Sequence, residues 1–269
     1  MILVLDKKRL ICWIGIFVLG VIGSIFLMSM RAKTTSGEGR AAYIALVIDD
    51  LGNQEEGTDE LLTLGIPITV AIMPFRPFSK KDAEEAHKRG MEVIMHVPME
   101  PVKGKPEWLG PKGITTQLSN EQICDRLQEG VNEIPHVVGM NNHMGSKAMA
   151  DQRVVTVLLE FAKDKKLFFL DSKTTMKSAA SQIAKDLEVC YFERDVFLDH
   201  VKHKKEIRKS LEELGDIALN RGYAIGIGHV GEQGGKITME QIKSMIPILE
   251  KKGIEFIHLS QIYQLEAYQ

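Results

Sequence analysis

Residues 43–50 read YIALVIDD, an unbroken β-forming run that ends in two aspartates. A strand with apolar side chains at successive positions has no solvent face, so it belongs inside a parallel sheet covered by helices on both sides. The two carboxylates then fall at the C-terminal end of the strand, where α/β folds place their chemistry. Working outward, the same kind of run recurs at 66–73 (IPITVAIM), 91–97 (MEVIMHV), 136–142 (HVVGMNN), 167–171 (LFFLD), 188–192 (EVCYF), 223–229 (YAIGIGH) and 254–258 (IEFIH).

Helical stretches separate these runs. Ser79 with Asp82, Ser119 with Gln122 and Thr238 with Gln241 each pair a capping oxygen with a partner three residues on, and Asp151 is a further N-cap. Between 205 and 219 the spacing of Ile207, Leu211, Leu214 and Ala218 gives one apolar face. Strand and helix alternate throughout, which with right-handed crossovers predicts an α/β fold, a (β/α) barrel or a distorted one, over residues 41–269.

The first forty residues differ. A basic flank over residues 1–9 (Lys7, Lys8, Arg9) precedes an uncharged run from Leu10 to Met30, about the length a helix needs to cross a membrane. Residues 10–30 are therefore expected to be a transmembrane signal-anchor, with a cleaved signal peptide as the alternative, and 31–40 a polar linker. The remainder is then expected on the extracytoplasmic side, membrane-anchored or secreted. With 34 Lys+Arg against 36 Asp+Glu, nothing in the charge balance proposes a nucleic-acid partner. Three cysteines, Cys12, Cys124 and Cys190, offer no CxxC pair, so a metal site must be built from His, Asp and Glu.

The strand ends supply such residues. Asp49 and Asp50 end the first strand, and His96 ends the third with Glu100 four residues later. Asn141, Asn142 and His143 end the fourth, Asp171 the fifth and His229 the seventh. Independent structural needs give no reason for so many polar, mostly titratable groups at one end of one sheet, so the set is a candidate active site. Trp108, in the loop after the third strand, is a candidate for stacking on a sugar ring or for burial beneath the rim.

Five segments, VIDDLG (47–52), MHVPMEP (95–101), GMNNHMGS (139–146), FLDSKTT (169–175) and IGIGH (225–229), together resemble the motif set of the divergent polysaccharide deacetylase family, within the NodB-homology deacetylases. The resemblance runs from about Tyr43 to the C-terminus. It implies a distorted (β/α) barrel and a metal-dependent hydrolase that removes N-acetyl or related acyl groups from a cell-surface or cell-wall polysaccharide. It also implies a divalent ion, zinc first among the choices, and an N-acetylated glycan as partner. By the family pattern Asp49 is the catalytic base, Asp50 and His96 are metal ligands, and His229 is the acid that protonates the leaving amine.

Two departures loosen the carry-over. The family's second histidine, four after the first, is replaced by Glu100, and its Arg-Pro-x-Tyr segment by Asn-Asn-His-Met-Gly. The metal set expected here is Asp50, His96 and His143, with Glu100 as a possible fourth, and an open position suits a catalytic zinc. Asn142, Asp171, Arg194, Asp199 and Trp108 are expected around the centre or on substrate. Two other readings fit the same residues: a deacetylase-like glycan- or protein-binding module of reduced activity, and a metal-dependent amidase or esterase with a non-sugar substrate.

Overall fold

A computed structural model describes residues 41–104 and 106–267. Among the described residues there are nine strands: β1 (Ala42–Leu51), β2 (Thr69–Ile72), β3 (Glu92–Met99), β4 (Val137–Met144), β5 (Phe168–Asp171), β6 (Tyr191–Glu193), β7 (Val196–Phe197), β8 (Tyr223–His229) and β9 (Ile254–Ile257). The helices are α1 (Thr58–Leu61), α2 (Ser79–Lys88), α3 (Pro106–Leu109), α4 (Asn120–Glu133), α5 (Gln152–Lys165), α6 (Ala180–Leu187), α7 (Lys204–Arg221), α8 (Gly235–Lys251) and α9 (Leu259–Ala267). All eight anticipated strands are there, and β7 is additional.

Hydrogen bonding runs in the order β6-β5-β4-β3-β2-β1-β8-β7, every pair parallel, while β9 lies against the first half of β1 through Ala42–Ala45 opposite Ile254–Ile257. A closed barrel would need a ladder between β6 and β7, and the described residues contain none. The reason is topological: parallel neighbours need a crossover of a dozen or more residues, and only Arg194 and Asp195 separate these two. Their amides instead reach Asp171 O on one side and Ile225 O on the other. The result is a curled half-barrel, more open than the barrel expected.

The two faces of β1 show why the strand reads as continuously apolar. Ile44, Leu46 and Ile48 join the large core under the helices, whereas Ala45 and Val47 join a smaller core inside the curl with Ile94, Leu170 and Ile227. Each of these valine, leucine and isoleucine side chains contributes about 1.5–3 kcal/mol on full burial. Leu259 and Ile262 of α9 pack into that inner core, and the Leu259 and Ser260 amides donate to Thr69 Oγ1 and Glu92 Oε1 at the starts of β2 and β3. One end of the curl is thereby filled, and the strands' C-terminal ends are left for the site.

The Ser119–Gln122 capping box and the Asp151 cap are present. The other two caps are not. Ser79 lies inside α2 and donates its hydroxyl to Met73 O, while Asp82 accepts from the Gly52 amide, so both brace the loops after β1 and β2. α8 begins at Gly235, earlier than the capping pattern implies, and turns Thr238 inward. His136, just before β4, is exposed and stacks on His87. Cys124 is an exposed thiol. Among the described residues no helix is long and apolar enough to cross a membrane. The segments anticipated at 1–9, 10–30 and 31–40 lie outside the described residues.

Candidate metal centre

Strand register assembles the site. His229 on β8 is paired with Asp49 on β1, and on β3 and β4 His96 pairs with Asn141 and Pro98 with His143. The β1–β2 ladder breaks between Ile48 and Leu51, where Asp50 takes a left-handed φ of 70°. This backbone is uncommon for a residue other than glycine. It lets two consecutive carboxylates serve one site: Asp49 Oδ2 lies 3.6 Å and Asp50 Oδ1 3.3 Å from His96 Nε2. His143 Nδ1 lies 3.0 Å from Asp50 Oδ1 and 3.1 Å from His96 Nε2. One ligand atom each from Asp50, His96 and His143 falls within 4.8 Å of the others.

The surrounding bonds decide which ring nitrogens carry protons. Asn141 donates its amide nitrogen to Asp49 Oδ1, so its oxygen faces His96 Nδ1 at 2.7 Å and the hydrogen sits there. The Trp108 carbonyl, which can only accept, is 3.0 Å from His143 Nε2 and places the hydrogen of that ring. The lone pairs of His96 Nε2 and His143 Nδ1 are therefore turned toward each other and toward Asp50 Oδ1, which is buried and makes no well-directed hydrogen bond. Three acceptors pressed together require a positive charge between them. A proton meets that need by making an imidazolium, and a divalent cation meets all three lone pairs at once. The donor set, one carboxylate and two imidazoles with room for a further ligand, fits a catalytic divalent ion.

The electrostatics separate the two neighbouring aspartates. Burial pushes the Asp49 carboxyl above its usual range, against the opposing pull of His96 and His229. Burial acts on Asp50 in the same sense, yet the His143 and His96 rings that face it, once either carries the positive charge the cluster requires, hold it well below that range. His96 is raised despite burial, by Asp49 and Asp50.

Across from this cluster, His229 Nδ1 is 2.8 Å from Asp199 Oδ1, and Asp199 Oδ2 accepts from the His229 amide and from Thr238 Oγ1. Burial opposes the charged imidazole, but the Asp199 hydrogen bond and charge prevail and push the pKa up to about 9. Gly234 makes the arrangement possible, because a β-carbon there would come 2.1 Å from Asp199 Oδ2. Phe197 stacks on the His229 ring, and the Arg194 guanidinium lies over Phe197.

Other anticipated residues sit further out. Glu100 does not join the cluster: one carboxylate oxygen pairs with Lys147 and the other accepts from the Thr116 amide and hydroxyl. Asn142 ties the loops after β4 and β5 together, donating to Met144 O and accepting from the Ser172 amide. Asp171 accepts from the Lys173 amide and from Ser178, which shapes the β5 loop. Arg194 is directed to the carbonyls of Ser172 and Lys173. Asp199 is partnered with His229. Trp108 is 53% exposed, so it is not buried beneath the rim. It lines a cleft of about 570 Å³ that also includes Asp50, His143, Asn53, Glu55 and Arg76.

Asn141 is the residue that sequence reasoning passed over in favour of Asn142. Period-two alternation along β4 puts Asn141 and His143 on one face and Asn142 on the other, so the signal was present. Losing a partner that orients a metal ligand costs roughly 10–100-fold in metal affinity. Asn141→Ala is expected to weaken binding by that much in a chelator-competition titration; unchanged affinity would remove Asn141 from this role.

A parallel half-barrel that gathers an Asp/His/His cluster, a second carboxylate and an opposing Asp–His pair at its strand ends is a polysaccharide-deacetylase-like module. Residues 46–263 match the model of the family described as divergent polysaccharide deacetylase, and the chain belongs to that family. It is 34% identical over 204 residues to an uncharacterized protein of Haemophilus influenzae, covering 76% of this chain and 72% of that one. It is 30% identical over 207 residues to the uncharacterized protein YibQ of Escherichia coli, covering 77% of this chain and 64% of that relative, less than two thirds of its length. The crystal structure of an uncharacterized protein from Agrobacterium tumefaciens superposes with a TM-score of 0.76 at 23% identity, over 84% of this chain and 91% of that one.

Proposed function

We propose that the protein is a metal-dependent hydrolase that removes N-acetyl or related acyl groups from a cell-surface or cell-wall polysaccharide. The observation that carries this reading is the division of labour between adjacent carboxylates. Asp50 faces two imidazole lone pairs, whereas Asp49 is held by Asn141 beside the cluster. Asp50, His96 and His143 would hold the ion, zinc being the choice that their chemistry suits best. A divalent ion in such a shell supplies Lewis acidity and a bound water of lowered pKa.

The remaining work belongs to the chain. Asp49, whose ionised form burial disfavours, is matched to accept a proton from an attacking water. His229, whose pKa Asp199 raises to about 9, would donate a proton to the departing amine. The exposed Trp108 ring offers an apolar face to a sugar. Release of acetate from chitin-like and peptidoglycan-derived oligosaccharides by the metal-loaded protein tests the reading, and a metal-bound protein that releases none from any of them refutes it.

The His229–Asp199 pair fixes the sign of a pH effect. A general acid must be protonated, so the rate should fall as pH rises through about 9. Asp199→Asn removes the charge that raises the imidazole and should move this alkaline limb down by about a unit or more, toward the ordinary value near 6.5. A pH–rate profile unchanged in Asp199→Asn would exclude His229 as the acid.

The uncharged run Leu10 to Met30 supports a location at the outer face of a cytoplasmic membrane, anchored or released after cleavage. Recovery of the full chain as a soluble cytoplasmic protein would refute it.

A further inference from the structure

Arg76 lines the same cleft as Asp50 and His143, in the loop after β2, and neither the metal centre nor the proton transfers use it. Its backbone is fixed by Ser79, whose hydroxyl accepts from the Arg76 amide and contacts its carbonyl. The side chain fits between two glycines. A β-carbon on Gly52 would meet Arg76 Cβ at 3.1 Å, and one on Gly110 would meet its guanidinium nitrogen at 2.9 Å. Both glycines also have positive φ, 126° and 78°, so a substitution at either is strained as well as crowded.

The guanidinium is poorly compensated. Its Nε is sealed from solvent without a hydrogen-bond partner, and among the described residues no ion pair reaches it. Glu55, Glu107 and Glu232 also line the cleft; Glu107 and Glu232 are exposed and Glu55 is partly exposed, and none of the three forms an ion pair with Arg76 among the described residues. A half-buried cation with an unpaired donor is a stronger determinant of ligand charge than carboxylates on a wet rim. The arginine fork pairs with oxyanions, in which two oxygens match two N–H groups.

Building on the deacetylase reading, we propose that Arg76 makes the cleft selective for a glycan that carries an oxyanion, a carboxylate or a phosphate ester, on the sugar being deacylated or on its neighbour. A cleft of about 570 Å³ is within the roughly 300–1,000 Å³ range of small-ligand sites, so the anion and the acyl group would be bound together.

The test is calorimetric binding to the full-length chain of three tetrasaccharides: a neutral N-acetylglucosamine tetramer, the same tetramer with lactyl carboxylates on alternate sugars, and one bearing 6-phosphates. At least one anionic tetramer is expected to bind about 10-fold or more tighter than the neutral one, and the tighter of the two identifies the source of the oxyanion. Arg76→Gln should bring that affinity down to the neutral value, and Arg76→Lys, which keeps the charge but not the fork, should retain part of it. Raising salt from roughly 0.05 to 0.5 M should shrink the preference in the unmodified chain, a check independent of any variant. Equal affinity for all three, or a preference that survives Arg76→Gln, overturns the proposal. An Arg76-dependent preference without acetate release would uphold the anion site and refute the deacetylase reading, so the two fail separately.

Discussion

His96→Ala will strip the divalent ion and abolish acetate release, with metal affinity falling by more than the roughly 10–100-fold that loss of an orienting partner costs. His96 is 2% exposed, and its Nε2 lies within 3.6 Å of Asp49 and 3.3 Å of Asp50, facing both carboxylates. Removing it leaves one imidazole and one carboxylate, too few protein ligands for a catalytic zinc shell. Asp50→Asn should behave alike, since the amide loses the negative charge that the two imidazoles face. Glu100→Gln should keep the ion, because Glu100 is bound to Lys147 and Thr116. Metal analysis of the purified variants, each checked for native circular dichroism, reads all three. Retention of the ion in a folded His96→Ala protein, or its loss in Glu100→Gln, would place the ion elsewhere.

The sequence made the strands legible because parallel strands buried on both faces write themselves as near-continuous apolar runs. Residues 43–50 and 223–229 lie next to each other in register from Tyr43↔Tyr223 to Asp49↔His229. It did not make β7 legible. Two residues, Val196 and Phe197, carry no period, and their position depends on Arg194 and Asp195 stepping from the edge at β5 to the edge at β8. The same step leaves the curl open, a consequence of connection length that composition cannot report.

The candidate site was legible in its titratable groups and less so in their partners. Strand-end position brought Asp50, His96 and His143 together, but four residues of spacing could not show that Glu100 would turn to Lys147. The spacing of Thr238 and Gln241 suggested a helix start, whereas burial reserved the Thr238 hydroxyl for Asp199. Neutral side chains such as Asn141 leave little trace in a search for charge, although hydrogen bonds decide where an imidazole keeps its proton.

Asp49→Asn will leave the ion bound and lower turnover of an N-acetylated glycan by about 10²–10⁴-fold, the usual contribution of a positioned general base. The replacement is nearly isosteric, and its amide oxygen can still accept from Asn141 Nδ2, so the bond that orients His96 through the same asparagine survives. Asp49 is buried, and burial raises its pKa, so the fold gains little from its charge. Neutralising it should leave the melting temperature unchanged or higher, in keeping with groups kept for reactivity at the expense of stability. Loss of turnover with full metal content and undiminished stability is the signature of a base; a structural carboxylate would lose stability, and a ligand would lose the ion. Metal content, acetate release and thermal midpoint measured on one preparation separate these cases. If Asp49→Asn loses the ion, the assignments of the two adjacent aspartates are reversed; if it turns over at the unmodified rate, the proton from water goes to another group.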